Sequence, residues 1–324
     1  MLLIHTGGTL GMRGRRPHAL KPGAFLSTLK TRVPELFDLA HIELELFSNV
    51  DSSELQPEDW SELARLIDRR LPKFDGVVVT HGTDTLAWTA SALSFMLPNL
   101  KKPVVLTGAQ RPLAEVRTDA RLNLIDAVTS ALQGPTEVTV CFDSHLYRGN
   151  RVLKVSAGEY DAFDSPNCPP LGTLGVDARF EKGLERKGKY SLDPQVDPRV
   201  FVLKVFPGLD PKVVLPMLPH VRGLVVEAHG SGNFPLKGAR SLKPVLHEAR
   251  RQDIAVVVIS QAPRNGVDLS LYEAGQAALD EGAMSGGDMT TPAAAVKLMH
   301  GLSKLEKRAL RSYIERNVAG ERTG

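Results

Sequence analysis

Short apolar or alternating runs recur along the first half of the chain, at Leu2-Leu3-Ile4, Ile42 to Phe47, Val77-Val78-Val79, Val104-Val105-Leu106 and Val138 to Phe142. Runs this short, bounded by polar and turn residues, predict strands, and the unbroken ones predict strands covered on both faces. Between them the period lengthens: Trp60, Leu63, Ile67 and Leu71 fall on one face of a helix over Pro57 to Leu71, and helical segments also begin near Thr85 and Thr118. Helices that cross from strand to strand imply mostly parallel pairing.

Beyond Leu171 the periodicity weakens, and Lys182 to Pro198 is rich in charge, Gly and Pro, with Asp193-Pro194 and Asp197-Pro198 as breakers. Strands resume at Val200 to Val205, Gly223 to Val226 and Ala255 to Ile259, and a helix opens at Thr291-Pro292. The expected fold is α/β. A larger N-terminal domain over 1–182 carries a mostly parallel sheet flanked by helices, 183–198 is a linker, and 199–324 forms a smaller C-terminal α/β domain.

At 324 residues, 42% hydrophobic and 24% charged, the composition is that of an ordinary globular protein and supports two domains. Forty Lys and Arg against 37 Asp and Glu leave a formal charge of +3, too little to mark a nucleic-acid groove. The cluster Arg13, Arg15, Arg16 reads as a solvated loop. Cys141 and Cys168 lack redox or zinc spacing, which suits a reducing compartment, and Cys141 reads as a buried strand residue. With no basic-then-apolar leader and no apolar run of about 18 residues, the expected location is the cytoplasm, without membrane contact.

Chemistry concentrates where strands end. The first strand runs into Thr6-Gly7-Gly8-Thr9-Leu10-Gly11 and the third into Thr80-His81-Gly82-Thr83-Asp84-Thr85; Asp51-Ser52-Ser53 follows the second and Gly108-Ala109-Gln110 the fourth. In a parallel sheet these ends share one rim, where open α/β sheets bind ligands. Each motif also has a structural reading: a tight Gly turn, a helix cap at Asp84, a packed His81, and a Ser-rich cap for the helix near Pro57. Neither the full dinucleotide fingerprint nor the Walker lysine is present, and no second ligand lies at metal spacing from His81.

Taken in order, Thr6-Gly7-Gly8-Thr9, Asp51-Ser52-Ser53, His81-Gly82-Thr83-Asp84-Thr85, Gly108-Ala109-Gln110, Arg148-Gly149-Asn150-Arg151 with Lys154, and Gly286-Gly287-Asp288-Met289-Thr290 resemble the asparaginase/glutaminase family, specifically its bacterial cytoplasmic branch. The resemblance covers nearly the whole chain. It implies hydrolysis of L-asparagine to L-aspartate and ammonia through an acyl-enzyme, with no metal and no cofactor. Thr9 is the implied nucleophile, and Thr83, Asp84 and Lys154 the implied second catalytic group. A threonine hydroxyl needs a base or relay, and an amide leaving group needs a proton, both within the chemistry of a lysine held by an aspartate.

By the same resemblance Asp51, Ser52 and Ser53 hold the ammonium and carboxylate of the amino acid, with Gly8, Gly82 and Ala109 lining the pocket. Asn233, in Gly230-Ser231-Gly232-Asn233, reaches the site of a neighbouring subunit in an expected homodimer or homotetramer; a turn asparagine is its structural alternative. Leu10 to Ala24 is a lid candidate, and here the chain departs from its relatives, with Leu20 where many carry an activating tyrosine. Low activity, or a relay through water or another residue, is the expectation. Two other functions remain alternatives at this point: an ammonia-releasing amidotransferase subunit, which needs a partner chain, and a non-catalytic amino-acid sensor, which needs no complete relay.

Overall fold

The computed structural model describes residues 1–13, 19–20, 25–185 and 188–323. The chain divides into two compact units, Met1–Pro194 and Gln195–Gly324. That boundary falls inside the expected linker. Residues 188–194 belong to the first unit because Tyr190 donates to Asp68 (2.8 Å), the Asp193 amide donates to the Met96 carbonyl (2.9 Å), and the Pro194 carbonyl accepts from Ser61 (2.7 Å).

The strands of the first unit are β1 (Leu2–Gly7), the short pair β2 (Met12–Arg13) and β3 (Ala19–Leu20), β4 (Glu43–Val50), β5 (Val77–Thr80), β6 (Val104–Thr107), β7 (Val138–Phe142), β8 (His145–Arg148), β9 (Leu153–Lys154), β10 (Phe163–Asp164), β11 (Gly172–Leu174) and β12 (Ala178–Phe180). Eight of them form one sheet in the order β12-β11-β8-β7-β6-β5-β1-β4. Pairing is parallel from β4 through β7 and antiparallel beyond it. The antiparallel edge was not expected from the sequence; it is laid down by a two-residue hairpin turn in which Asp143 (φ 46°) and Ser144 (φ 59°) take left-handed backbone.

The helices here are α1 (Phe25–Arg32), α2 (Glu35–Leu39), α3 (Pro57–Arg70), α4 (Leu86–Met96) and α5 (Ala120–Gln133). Leu3, Val78, Val105 and Cys141, one face of the central strands, pack with Leu124, Ala127 and Val128 of α5 and with Leu29 and Leu36 of α1 and α2. Alternation sends Ile4, Val79, Leu106 and Val140 to the opposite face, and these too are fully buried. α4 lies on β6 and β7, and α3 packs on α4. A sheet covered on both faces leaves its strand ends as the place for a site.

In the second unit, β13 (Val200–Lys204), β14 (Gly223–Ala228), β15 (Ala255–Ser260) and β16 (Met284–Ser285) form an all-parallel sheet in that order. Leu224, Val226, Val256 and Val258 bury one face against Val245, Leu246 and Ala249 of the helix Lys243–Arg251 and Ala274 and Ala278 of the helix Glu273–Asp280. Among the described residues no helix is long and apolar enough to cross a membrane.

Candidate active site

β1 carries the chain through Gly7 (φ 115°) and Gly8 (φ 79°) into the single turn Thr9–Gly11. A side chain on Gly8 would stand 2.4 Å from the Gly82 Cα, and one on Gly82 would stand 2.6 Å from the Ser52 Oγ. These distances are impossible for real side chains, so the turn after β1 packs backbone to backbone on the turn after β5, the Ser52 side chain lies against Gly82, and the Thr9, Ser52 and Thr83 turns are drawn together. Thr9 is half-buried, and its hydroxyl bonds to no other described residue.

Thr83 is buried just beyond the Gly82 contact. The ammonium of Lys154, on β9, donates to Thr83 Oγ1 (2.8 Å) and to Asp84 Oδ1 (2.6 Å). Three of the expected catalytic residues thus meet although 70 residues separate Asp84 from Lys154. Asp84 does not cap α4: no side chain caps that helix, and its N-cap residue Thr85 donates instead to the Ser52 carbonyl (2.7 Å).

Asp51 Oδ1 accepts from both the Ser53 amide (2.9 Å) and the Ser53 hydroxyl (2.7 Å), bonds that hold the carboxyl below its ordinary pKa. Both donors of Ser53 are therefore spent on Asp51, leaving Ser52 as the hydroxyl available in this turn. α3 is capped otherwise, by Asp59 accepting from the Gln56 amide (2.7 Å).

His81 is packed: one ring nitrogen meets the Gly82 carbonyl (2.7 Å) and the other Thr89 Oγ1 (2.9 Å). Burial pulls its pKa down to about 4, and that of His5 likewise, so both rings are neutral near pH 7 and serve the frame. Among the described residues no group of three or more His, Cys, Asp and Glu is arranged to hold a metal ion.

Sequence reasoning placed Gln110 on the rim without a task and missed Asp119 and Asn123. Asp119 accepts from the Gln110 and Arg111 amides (2.9 and 3.0 Å) and from Asn123 (3.1 Å), and burial raises its pKa. Asn123 also donates to the Gly108 carbonyl (3.1 Å), so this pair shapes the Gly108-Ala109-Gln110 turn, with Ala109 buried inside it. The available signal was Asn123 placed four residues after Asp119, a spacing that sets the two side by side where α5 begins.

The other expected residues belong to the second unit or are only partly described. Asn233 is exposed in the second unit, at a turn whose ends pair through His229 and Asn233. Asp288 of the Gly286 to Thr290 motif accepts from the Thr323 amide (2.8 Å) and hydroxyl (2.7 Å), and Thr290 caps the helix Thr291–Leu302; this motif is structural. Of the lid candidate, Leu20 pairs through its backbone with Met12, while 14–18 and 21–24 lie outside the described residues.

Comparison with known proteins agrees with this arrangement. The family model for the N-terminal part of asparaginase matches residues 1–186, and that for the glutaminase/asparaginase C-terminal domain matches residues 199–312. The L-asparaginase of Thermococcus kodakarensis is 40% identical over 290 residues, 89% of this chain and 88% of that protein. L-asparaginase 1 of Escherichia coli K12 is 36% identical over 330 residues, 99% of this chain and 97% of that protein. The solved thermostable L-asparaginase from Thermococcus kodakarensis matches with a TM-score of 0.92 at 36% identity, covering 100% of this chain and 99% of that one. With both domains matched and the strand-end motifs assembled on one rim, the chain belongs to the asparaginase family.

Proposed function

We propose that this chain is an amidohydrolase that converts L-asparagine to L-aspartate and ammonia, with Thr9 as nucleophile. The observation carrying this reading is the Thr83, Asp84, Lys154 cluster, held beside the Thr9 turn by the Gly8 to Gly82 contact. The Thr9 hydroxyl attacks the side-chain amide carbon, the amide nitrogen takes a proton and leaves as ammonia, and water hydrolyses the Thr9 ester to aspartate. Lys154, held by Asp84 and Thr83, handles the protons. Backbone amides of the Gly-rich turn and the Thr83 segment supply the oxyanion donors.

The substrate's ammonium goes to Asp51, whose Oδ2 is left free by the Ser53 bonds to Oδ1. Its carboxylate goes to Ser52 and neighbouring backbone donors, with Gly8, Gly82 and Ala109 as walls. This division asks for a small amino-acid amide, acted on in the cytoplasm without a cofactor. Ammonia release by the purified chain, measured over a concentration range of L-asparagine and of L-glutamine, tests it; no release from L-asparagine overturns it.

Gly82→Ala is expected to lower stability by about 1–3 kcal/mol, because its Cβ overpacks the Ser52 side chain. The displaced Ser52 should raise KM for L-asparagine more than it lowers kcat. Thermal unfolding and steady-state kinetics read the two effects, and an unchanged KM counts against Ser52 as a carboxylate ligand.

A homodimer or homotetramer is part of the proposal, with Asn233 serving a neighbouring subunit. In support, Asn233 lines a shallow cavity of about 480 Å³ with Leu236 and Tyr272, and Leu271 and Tyr272 stand exposed beside it. Sedimentation showing a fully active monomer removes this element alone.

A further inference from the structure

We infer that Gln110 is a positioning residue that fixes the direction of the hydrogen-bond chain through Thr83 and Lys154. The inference rests on the hydrolase reading above. Gln110 Nε2 donates to the carbonyls of Glu159 (2.9 Å) and Ser156 (3.4 Å), in the loop that follows Lys154. An amide nitrogen only donates and an amide oxygen only accepts, so with Nε2 turned to those carbonyls Gln110 presents Oε1 to Thr83. Thr83 Oγ1 donates to that oxygen (3.3 Å) while accepting from Lys154 (2.8 Å).

Every bond in the chain then runs one way, from the Lys154 ammonium to Thr83, from Thr83 to Gln110, and from Gln110 to the loop carbonyls. Aligned bonds of this kind reinforce one another. With its single proton committed to Gln110, Thr83 offers only a lone pair to any other neighbour. Whatever approaches Thr83 in the site must come as a donor, as a water or an alcohol does. A free Thr83 hydroxyl would instead rotate and donate to a substrate oxygen or to Thr9.

Gln110 is also braced from behind and ties down the loop beyond Lys154. Its main-chain N–H donates to Asp119 (2.9 Å). The loop is closed by Ser156 Oγ, which accepts from Gly158 and Glu159 (3.2 and 3.0 Å), and is fastened by the Tyr160 hydroxyl donating to the Arg117 carbonyl (2.6 Å). One side chain therefore does two separable jobs: its oxygen orients Thr83 and its nitrogen straps residues 156–159.

The test uses Gln110→Met, which keeps length and removes both bonds, and Gln110→Glu, which keeps an acceptor toward Thr83 and removes the donor. Ammonia release from L-asparagine and amide hydrogen exchange over 155–160 are measured for both and for the unaltered chain. Gln110→Met is expected to lower kcat by about 30-fold with KM changed less than about threefold, the size of loss that misplacement of a reacting group brings. Exchange over 155–160 should speed up in both variants, while Gln110→Glu recovers at least about a third of the kcat lost in Gln110→Met, since orienting Thr83 is the larger part. A Gln110→Met protein with kcat within about twofold of the unaltered chain, a loss confined to KM, or a Gln110→Glu protein no faster than Gln110→Met overturns the inference while the hydrolase reading stands. If the unaltered chain itself releases no ammonia, the hydrolase reading falls and this role falls with it.

Discussion

Thr9→Ala is expected to lower ammonia release from L-asparagine by at least about 10⁴-fold, the scale of loss seen when an enzyme nucleophile is removed. Thermal unfolding should be nearly unchanged. The separation of the two effects follows from how the turn is held. Gly7 and Gly8 occupy backbone that a β-carbon would not tolerate, and contact between Gly8 and Gly82 fixes the main chain before Thr9 begins. The Thr9 hydroxyl contributes no bond to another described residue, so its loss leaves no buried partner unsatisfied. The stability cost should stay within about 0.5–1 kcal/mol, as for substitutions away from core and caps. A Thr9→Ala protein retaining a tenth of normal activity removes Thr9 as nucleophile. A protein that loses activity only because it unfolds fails the second half of the expectation.

The same turn shows why part of this site was legible without a structure. Leu2 to Ile4 and Val77 to Val79 read as strands buried on both faces, and a Gly-rich polar segment directly after such a strand has to sit at the sheet rim. The structure places both segments there and in contact. Lys154 was different. It lies on a two-residue strand paired only with Phe163–Asp164, with no periodicity to locate it, and family resemblance alone brought it to the site. The support around Gln110 was illegible for a related reason. Asp119 serves backbone amides 8 and 9 residues earlier, and Gln110 reaches carbonyls 46 and 49 residues later, so neither partnership leaves a spacing to read.

Missed fold features have equally local causes. The Asp143-Ser144 turn adopts left-handed backbone without the glycine or asparagine that usually announces it, so the antiparallel β8, β11 and β12 were hidden behind a weak pattern. The charged stretch before Pro194 read as a free connection, yet Tyr190 and Asp193 find partners on the first unit. Ser53 was expected to bind substrate directly, and the structure gives it the prior task of setting Asp51: two donors on one oxygen favour the ionised carboxylate and leave the other oxygen for a cation. By sign, that stabilisation is present above the ordinary aspartate pKa and is lost as pH falls through the lowered one.

Lys154→Met should lower kcat by about 10³-fold, or about 4 kcal/mol in activation free energy, with KM for L-asparagine changed less than about threefold. The substrate's charged ends are assigned to Asp51 and Ser52, and Lys154 touches neither; its bonds go to Thr83 (2.8 Å) and Asp84 (2.6 Å). Removing the ammonium therefore takes away proton handling and leaves the binding groups in place. The fold should withstand the change. The Asp84 side chain is 67% exposed, so water can solvate the carboxylate once its partner is gone, whereas Lys154 itself is 18% exposed and methionine fills its stem. Thr83 keeps Gln110 as an acceptor, so the chain stays oriented at that end. Lys154→Arg divides the two parts of the lysine's role: a guanidinium keeps the positive charge beside Asp84 but does not give up its proton near neutral pH. Near-normal kcat in Lys154→Arg reduces Lys154 to an electrostatic support, and a Lys154→Met effect seen only in KM moves it from the chemistry to binding. Loss of kcat in both variants, with KM preserved, is the result expected of a lysine that carries the proton.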